Sequence, residues 1–185
     1  MSINRYFLAL IPTKEVREEL QDLKIKISDE YQTKASLRSP PHLTLHMPFL
    51  KPAKYEKQLI ESLTDFCNEP KPFDLTLNGY GSFEPKVFFV QVVENQELKN
   101  LHQELHQLMK IKHNVLPREG FIERPFRPHI TLAFRDLKKQ EFYRLWKDFQ
   151  DRNYERVFMV SSLALLKHNG ISWDEHHIFS FGLSS

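Results

Sequence analysis

Two short stretches of this chain contain residue types that could do chemistry, and they are nearly identical. Residues 41–45 read Pro-His-Leu-Thr-Leu, and residues 128–132 read Pro-His-Ile-Thr-Leu. The chain has nine histidines among 185 residues, so a single His-x-Thr triplet would carry little information. Two copies that share the flanking proline and leucine are hard to attribute to chance. We therefore interpret the two motifs as halves of one active site.

The histidine and threonine of each motif suit cleavage of a phosphodiester without a metal ion. An imidazole has an ordinary pKa of about 6.5, so one of His42 and His129 can be neutral while the other is protonated. We assign His129 as the base and His42 as the acid, although the repeat makes these roles interchangeable. The hydroxyl groups of Thr44 and Thr131 can donate hydrogen bonds to phosphate oxygens. Alternatively, these residues occupy the solvent side of two half-buried strands, where threonine is common.

Each motif is predicted to be a β-strand, whose side chains alternate between two faces. In the first strand, the leucines of the motif point to one face, while His42, Thr44 and His46 point to the other. His46 could therefore touch a substrate bound at His42. It could equally be a solvated neighbour, and the alternation leaves both interpretations open.

Three further residues near the motifs are candidates for substrate contact. The segment before the second motif interleaves arginines with aromatic residues, which suits phosphate contact with base stacking and equally suits an ordinary basic loop. Arg124 and Arg127 are the arginines of this segment nearest to His129. Tyr6, on the first predicted strand, could line the same opening.

A pair of histidines on a predicted helix has the spacing of metal ligands but lacks the rest of a metal motif. His102 and His106 are four residues apart, yet the glutamate between them does not occupy its position in the zinc-protease motif His-Glu-x-x-His. Charged neighbours favour a solvated helix face instead. The chain has only five glycines and no glycine-rich phosphate loop, which argues against an ATP-dependent ligase of the usual kind. We expect neither a metal nor a cofactor.

The elements that must position the motifs occur twice in the same order. Each half is predicted as strand, helix, loop, motif strand, helix and strand, with first strands over residues 5–11 and 87–93. The motif histidines are 87 positions apart, close to half of the chain. We therefore predict an internal duplication, forming a single domain over 1–185 with pseudo-symmetric lobes at 1–84 and 85–185.

Composition narrows the functional classes only moderately. The formal charge of +2 is too small to indicate a nucleic-acid binder by bulk charge, but it is compatible with an anionic substrate. Cys67 is the single cysteine, so no intramolecular disulfide can form, and a reducing compartment is expected. No apolar stretch approaches the roughly 18 residues needed to span a membrane. We expect a cytoplasmic protein with no obligate protein partner.

Paired His-x-Thr motifs in a duplicated strand–helix chain of this length resemble the 2H phosphoesterase superfamily, in particular its bacterial 2′-5′ RNA ligase-like and cyclic phosphodiesterase members. The resemblance implies an α+β, bilobal fold in which two antiparallel sheets face a central cleft, with helices packed outside. It also implies that His42 and His129 are the acid–base pair and that Thr44 and Thr131 bind phosphate. The first motif continues as His-Met-Pro-Phe over residues 46–49, which departs from the commoner family pattern of Leu then Phe and leaves the substrate open.

The activity implied by this resemblance is hydrolysis of nucleoside 2′,3′-cyclic phosphate ends, or cleavage and joining of 2′-5′ linkages in RNA. The expected partner is thus a nucleotide or an RNA end. The alternative function is a non-catalytic module that holds a nucleotide or RNA end in the same cleft. Two histidines favour catalysis, because binding alone could use arginine or lysine.

Overall fold

The computed structural model describes residues 2–115 and 125–182 of the chain. Within these ranges, eight β-strands and four α-helices follow one another. Their bounds are β1 Ile3–Leu10, α1 Lys14–Tyr31, β2 Leu43–Pro52, α2 Glu56–Cys67, β3 Phe73–Phe83, β4 Val87–Val93, α3 Gln96–His113, β5 His129–Phe134, α4 Lys139–Phe149, β6 Glu155–Val160, β7 Ser162–His168 and β8 Trp173–Ser180. Among the helices that the structure describes, none is long and apolar enough to cross a membrane.

The strands form one antiparallel, curled sheet rather than two separate sheets. Its order is β6-β3-β4-β5-β2-β1-β7-β8. The two motif strands, β2 and β5, are neighbours at the centre, and a single residue pair, Leu43 and Ile130, joins them. The other neighbouring strands in the sheet are paired over four to seven positions. The predicted α+β class is confirmed, and the two expected sheets are two halves of one sheet that meet between the motifs.

Each half of the sheet combines strands from both halves of the sequence. The half that contains the second motif includes β3, which lies within residues 1–84 and pairs with both β4 and β6. The half that contains the first motif includes β7 and β8 from the C-terminal part of the chain. The division into lobes at residue 84 is therefore not the division that the sheet follows. Long-range pairing of this kind ties the two halves of the sequence into one unit.

The core lies between one face of the sheet and the four helices. In α1 the apolar residues Val16, Leu20, Ile27 and Tyr31 recur at helical spacing and are buried, as the sequence predicts. The opposite face of the sheet has a much smaller apolar cluster, whose buried members are Phe7, Ala9, Ala164 and Leu166. Because no helix packs on this second face in the described residues, it is the face available to a ligand.

Candidate active site

The pairing of β2 with β5 brings all four motif side chains together. Leu43 and Ile130, which form the joining pair, are both fully buried towards the helices. Their neighbours in sequence therefore point to the other face of the sheet, which we call the motif face. Because the strands are antiparallel, the histidine of each motif comes opposite the threonine of the other. On the motif face, His42 thus lies opposite Thr131, and Thr44 lies opposite His129.

This arrangement places the two imidazoles on a diagonal of the strand pair. Diagonal positions in a regular antiparallel pair have Cα atoms about 7–8 Å apart. Imidazole side chains at such positions can reach one group between them, with a threonine hydroxyl on either side. His42, Thr44, His129 and Thr131 are all partly exposed, so a ligand can reach them.

The two histidines are held in the same tautomer by the same kind of hydrogen bond to the backbone. Nδ1 of His42 donates to the carbonyl oxygen of Pro40 at 2.7 Å, and Nδ1 of His129 donates to the carbonyl oxygen of Arg127 at 2.7 Å. In both motifs the acceptor precedes the histidine by two residues. A carbonyl oxygen can only accept, so each Nδ1 carries hydrogen and each Nε2 is free to exchange a proton with a substrate.

A phenylalanine ring supports each imidazole. Phe7 on β1 lies with its ring centroid 4.8 Å from that of His42, and Phe89 on β4 lies 4.8 Å from that of His129. Sequence reasoning missed both phenylalanines. Phe7 directly follows Tyr6, the residue that was considered instead, so the correct strand face would have identified it.

Burial lowers the pKa of both motif histidines. Burial is the main reason that the pKa of His42 falls to about 4, and the charges of Lys24 and His129 lower it further, against the Pro40 carbonyl. Burial and the charge of Arg127 lower the pKa of His129, although its hydrogen bond to the Arg127 carbonyl acts in the opposite direction. Both rings are mainly neutral at pH 7 in the free protein.

His46 does not share the motif face, contrary to the expectation from alternation. The register between β1 and β2 shifts, so that Ala9 pairs with Thr44 whereas Leu8 pairs with His46. This β-bulge inserts one extra residue into β2 and reverses the alternation beyond it. His46 is consequently buried on the helix side, where its ring stacks on that of His106 at 4.7 Å. Direct contact between His46 and a substrate on the motif face is excluded by this orientation.

Tyr6 also lies on the helix side. It is fully buried, its hydroxyl group donates to the Glu56 carboxylate of α2, and the side-chain amide of Asn4 donates to the hydroxyl at 2.9 Å. The prediction that Tyr6 lines the opening was therefore wrong. The next residue, Phe7, occupies the motif face instead. Tyr6 is a structural residue in a polar network that links β1 to α2.

Of the two arginines that the sequence analysis proposed for substrate contact, the structure describes Arg127. Arg127 is exposed beside His129, and its guanidinium lies over the ring of Phe83, 5.0 Å from the centroid. Phe83 in turn makes an edge contact with the His129 ring, with centroids 5.1 Å apart. Arg127 can therefore supply positive charge next to the second motif. Arg124 lies outside the described residues.

His102 and His106 on α3 are packed against other residues. The prediction that they lie on a solvated helix face was therefore wrong. Nε2 of His106 donates to the carbonyl oxygen of Leu45 at 2.8 Å. His102 stacks on Phe126 with centroids 3.8 Å apart, and burial lowers its pKa to about 4. No cluster of three or more potential metal ligands occurs among residues 2–115 and 125–182. These histidines attach α3 to the first motif strand and to the segment before the second.

Comparison with known proteins agrees with this geometry. The family model described as the 2′-5′ RNA ligase superfamily matches residues 12–171. A Geobacillus sp. (strain WCH70) protein named "Putative phosphoesterase" is 29% identical over 182 residues, with 96% of each chain covered. A Bacillus cytotoxicus protein of the same name is 28% identical over 184 residues, covering 96% of this chain and 97% of the relative.

Solved structures show the same fold. Escherichia coli LigT in its apo form superposes with a TM-score of 0.67 at 20% identity, covering 98% of this chain and 99% of LigT. The Thermus thermophilus protein TT0787 has a TM-score of 0.65 at 22% identity, covering 98% and 100% of the two chains. Together with the match to the family model, this confirms the resemblance to 2H phosphoesterases that the two motifs indicated. Because the family model matches most of its length, this chain belongs to the 2′-5′ RNA ligase superfamily.

Proposed function

We propose that this protein is a phosphodiesterase in which two histidines, rather than a metal ion, carry the proton transfers. Its substrates are nucleoside 2′,3′-cyclic phosphate ends or 2′-5′ linked RNA, and the reverse joining reaction uses the same groups. One observation carries the proposal. Both motif histidines donate Nδ1–H to a carbonyl oxygen at 2.7 Å and leave Nε2 available on one face of the sheet.

In hydrolysis of a cyclic phosphate, one Nε2 accepts a proton from water as the water oxygen attacks phosphorus. The bond between phosphorus and one ribose oxygen breaks, and the second histidine donates its proton to that oxygen. Thr44 and Thr131 donate hydrogen bonds to the non-bridging oxygens. Their positions on either side of the histidine diagonal suit this role, since charge builds up on those oxygens in the transition state.

The pKa values favour His42 as the base and His129 as the acid. The pKa of His42 falls to about 4 through burial, and the charge on His129 contributes to this fall. A site that holds one proton therefore keeps it on His129. This assignment reverses the expectation from sequence, which had no information on burial. An anionic phosphate between the rings raises the pKa of the acid and supplies the protonated form at neutral pH.

The known ligands of structural relatives support a nucleotide substrate. Structures of Escherichia coli LigT are described in complex with 3′-AMP, NADP+ and ATP. The curated relatives are named as phosphoesterases. A nucleotide that contains a phosphodiester is consistent both with the ligands of LigT and with the names of the relatives. The Nε2 atoms on the motif face are available for proton transfer to and from the oxygen atoms around its phosphorus.

The test is turnover of a nucleoside 2′,3′-cyclic phosphate and of a 2′-5′ linked dinucleotide, with products separated by chromatography. We expect His42→Ala and His129→Ala each to lower kcat by about 100-fold or more, because each removes a proton-transfer group. His177→Gln, a change of a partly exposed histidine on β8, is the matched control and should retain activity. Full turnover in both alanine variants would refute the proposal. Tight binding by calorimetry without any product would instead support the nucleotide-binding module.

A further inference from the structure

A cavity of about 590 Å³ lies directly beside the first motif. It is bounded by the start of α1, by the segment that leads into β2, and by the turn between β7 and β8. Its lining includes Pro40, whose carbonyl oxygen orients His42. Ligand pockets in proteins have volumes of about 300–1,000 Å³, so this cavity is large enough for one nucleotide.

Trp173 connects the cavity to the motif face. Its indole lines the cavity and also contacts Phe7, with ring centroids 4.6 Å apart. Phe7 in turn supports His42. The indole is only partly exposed, and the guanidinium of Arg5 lies 4.8 Å from its centroid. A planar aromatic group stacked on Trp173 would therefore be connected to the His42 imidazole through two rings, those of Trp173 and Phe7.

Positive charge surrounds the same indole. The ring of His168 lies 4.9 Å from that of Trp173, and its pKa is lowered first by burial and then by the charges of Arg5, Arg135 and Arg38. The charge of Asp174 acts on His168 in the opposite direction. Of the three arginines, Arg5 lies over the indole and Arg38 lines the cavity. None of them forms an ion pair within the described part of the chain.

Arg38 is the arginine of this group that lines the cavity itself. It is exposed at the end of the short helical turn Ala35–Arg38, close in sequence to the proline that orients His42. The other cations of the lining are already paired, Arg17 with the Glu175 carboxylate and Lys14 with the Glu18 carboxylate at 3.9 Å. Arg38 is thus the cation of the cavity wall that is free to bind a phosphate.

We propose that this cavity is a second nucleotide subsite, in which a base stacks on Trp173 and Arg38 binds the adjoining phosphate. Stacking on aromatic rings together with arginine contacts is the usual way in which proteins hold single-stranded RNA. The inference rests on the proposed function and makes it more specific. The preferred substrate is an RNA end of at least two nucleotides, and a mononucleotide fills only the site at His42 and His129.

The experiment compares kcat/KM for a mononucleotide and for a trinucleotide, each ending in a 2′,3′-cyclic phosphate. We expect the wild-type protein to prefer the trinucleotide by about tenfold or more, since stacking of one base has an effect of this size. Trp173→Ala should abolish that preference, because it should lower kcat/KM for the trinucleotide about tenfold more than for the mononucleotide. Trp173→Phe should retain most of the preference, because it keeps an aromatic face. Arg38→Gln should weaken trinucleotide turnover alone, and Lys57→Gln, on the exposed face of α2, is the matched control.

Binding to a protein that cannot turn over separates this inference from the proposed function. In a His129→Ala background, calorimetry with the trinucleotide should show tighter binding than in the same background with Trp173→Ala. That difference would support the subsite even if the wild-type protein showed no turnover. Turnover without any preference for the longer substrate would refute the subsite and leave the proposed function intact. Equal losses for both substrates in Trp173→Ala would also refute it, because Trp173 would then act only by supporting Phe7 and His42.

Discussion

Replacing Lys24 by methionine should make the protein more stable at neutral pH. Lys24 lies in α1 with 1% of its surface exposed, and Nζ donates one hydrogen bond, to the carbonyl oxygen of Ser39 at 2.6 Å. Burial lowers the pKa of this ammonium group from 10.5 to about 7. A charged group held in such a site opposes folding, because it has lost its water shell and has no carboxylate partner among the described residues.

The size and sign of the effect follow from this pKa. Between pH 7 and 10.5 the unfolded chain binds a proton at Lys24 that the folded protein does not bind, so stability rises with pH across this interval. At about 1.4 kcal/mol for each pH unit, the ammonium lowers the free energy of unfolding by about 5 kcal/mol below pH 7. Methionine removes this cost but leaves the Ser39 carbonyl without its donor, which costs about 1–3 kcal/mol. Lys24→Met should therefore stabilise the protein by about 2–4 kcal/mol at pH 6.5.

The measurement is urea unfolding of wild-type protein and Lys24→Met at several pH values between 6.5 and 10. Other titrating groups cancel in the difference between the two proteins, so this difference should change by about 4 kcal/mol across the range. The advantage of the variant at pH 6.5 should thus be lost, or become a small disadvantage, at pH 10. Lys26→Met, an exposed change on the same helix, is the control and should leave the pH dependence unchanged. Parallel stability curves for wild-type protein and Lys24→Met would refute the reasoning.

Three further predictions concern residues outside the proposed reaction. Gly81→Ala should lower both kcat and thermal stability, because a Cβ atom there would come within 2.4 Å of the ring of Phe89, which supports His129; unchanged kinetics and melting would contradict this. Glu56→Gln should cost about 1–3 kcal/mol of stability at pH 7. Burial alone raises the pKa of Glu56, but hydrogen bonds from Lys167, Tyr6 and His176 lower it to about 2. The difference in stability between wild-type protein and Glu56→Gln, measured by urea unfolding, should therefore disappear as the pH falls from 4.5 to 2. Cys67 is fully buried and its pKa is raised to about 12 by burial, so iodoacetamide should label it only after unfolding, as mass spectrometry would show.

Helices and strands could largely be predicted from the sequence, because hydrophobic periodicity is a local signal. The apolar residues of α1 and the alternation in the motif strands identified the buried faces correctly at Leu20 and Leu43. Irregularities within strands are not part of this signal. β3 continues to residue 83 through a bulge at Gly79, whose φ of 69° suits glycine, and Ser161 separates β6 from β7.

The repeated His-x-Thr pattern determined by itself which four residues to consider and which family the chain resembles. The repeat suggested that the two motifs belong to one site, and alternation within each strand places histidine and threonine on one face. Their catalytic and phosphate-binding roles remain predictions for the variants described above. The matched hydrogen bonds of His42 and His129 could also have been anticipated, since both acceptors lie two residues earlier in the chain.

Only the tertiary structure decided which neighbours join the motif residues. The bulge that turns His46 away from the motif face depends on how β2 pairs with β1, and a partner strand is not encoded in the local pattern. The same holds for the choice of Phe7 over Tyr6, because β1 has apolar residues on both faces and either could face the core. Trp173 is far from His42 in the sequence, and it reaches the first motif because β7 pairs with both β1 and β8. The local pattern of the chain thus identified the four motif residues. Strand pairing determined which residues surround them, because contacts between distant strands depend on the whole folded sheet.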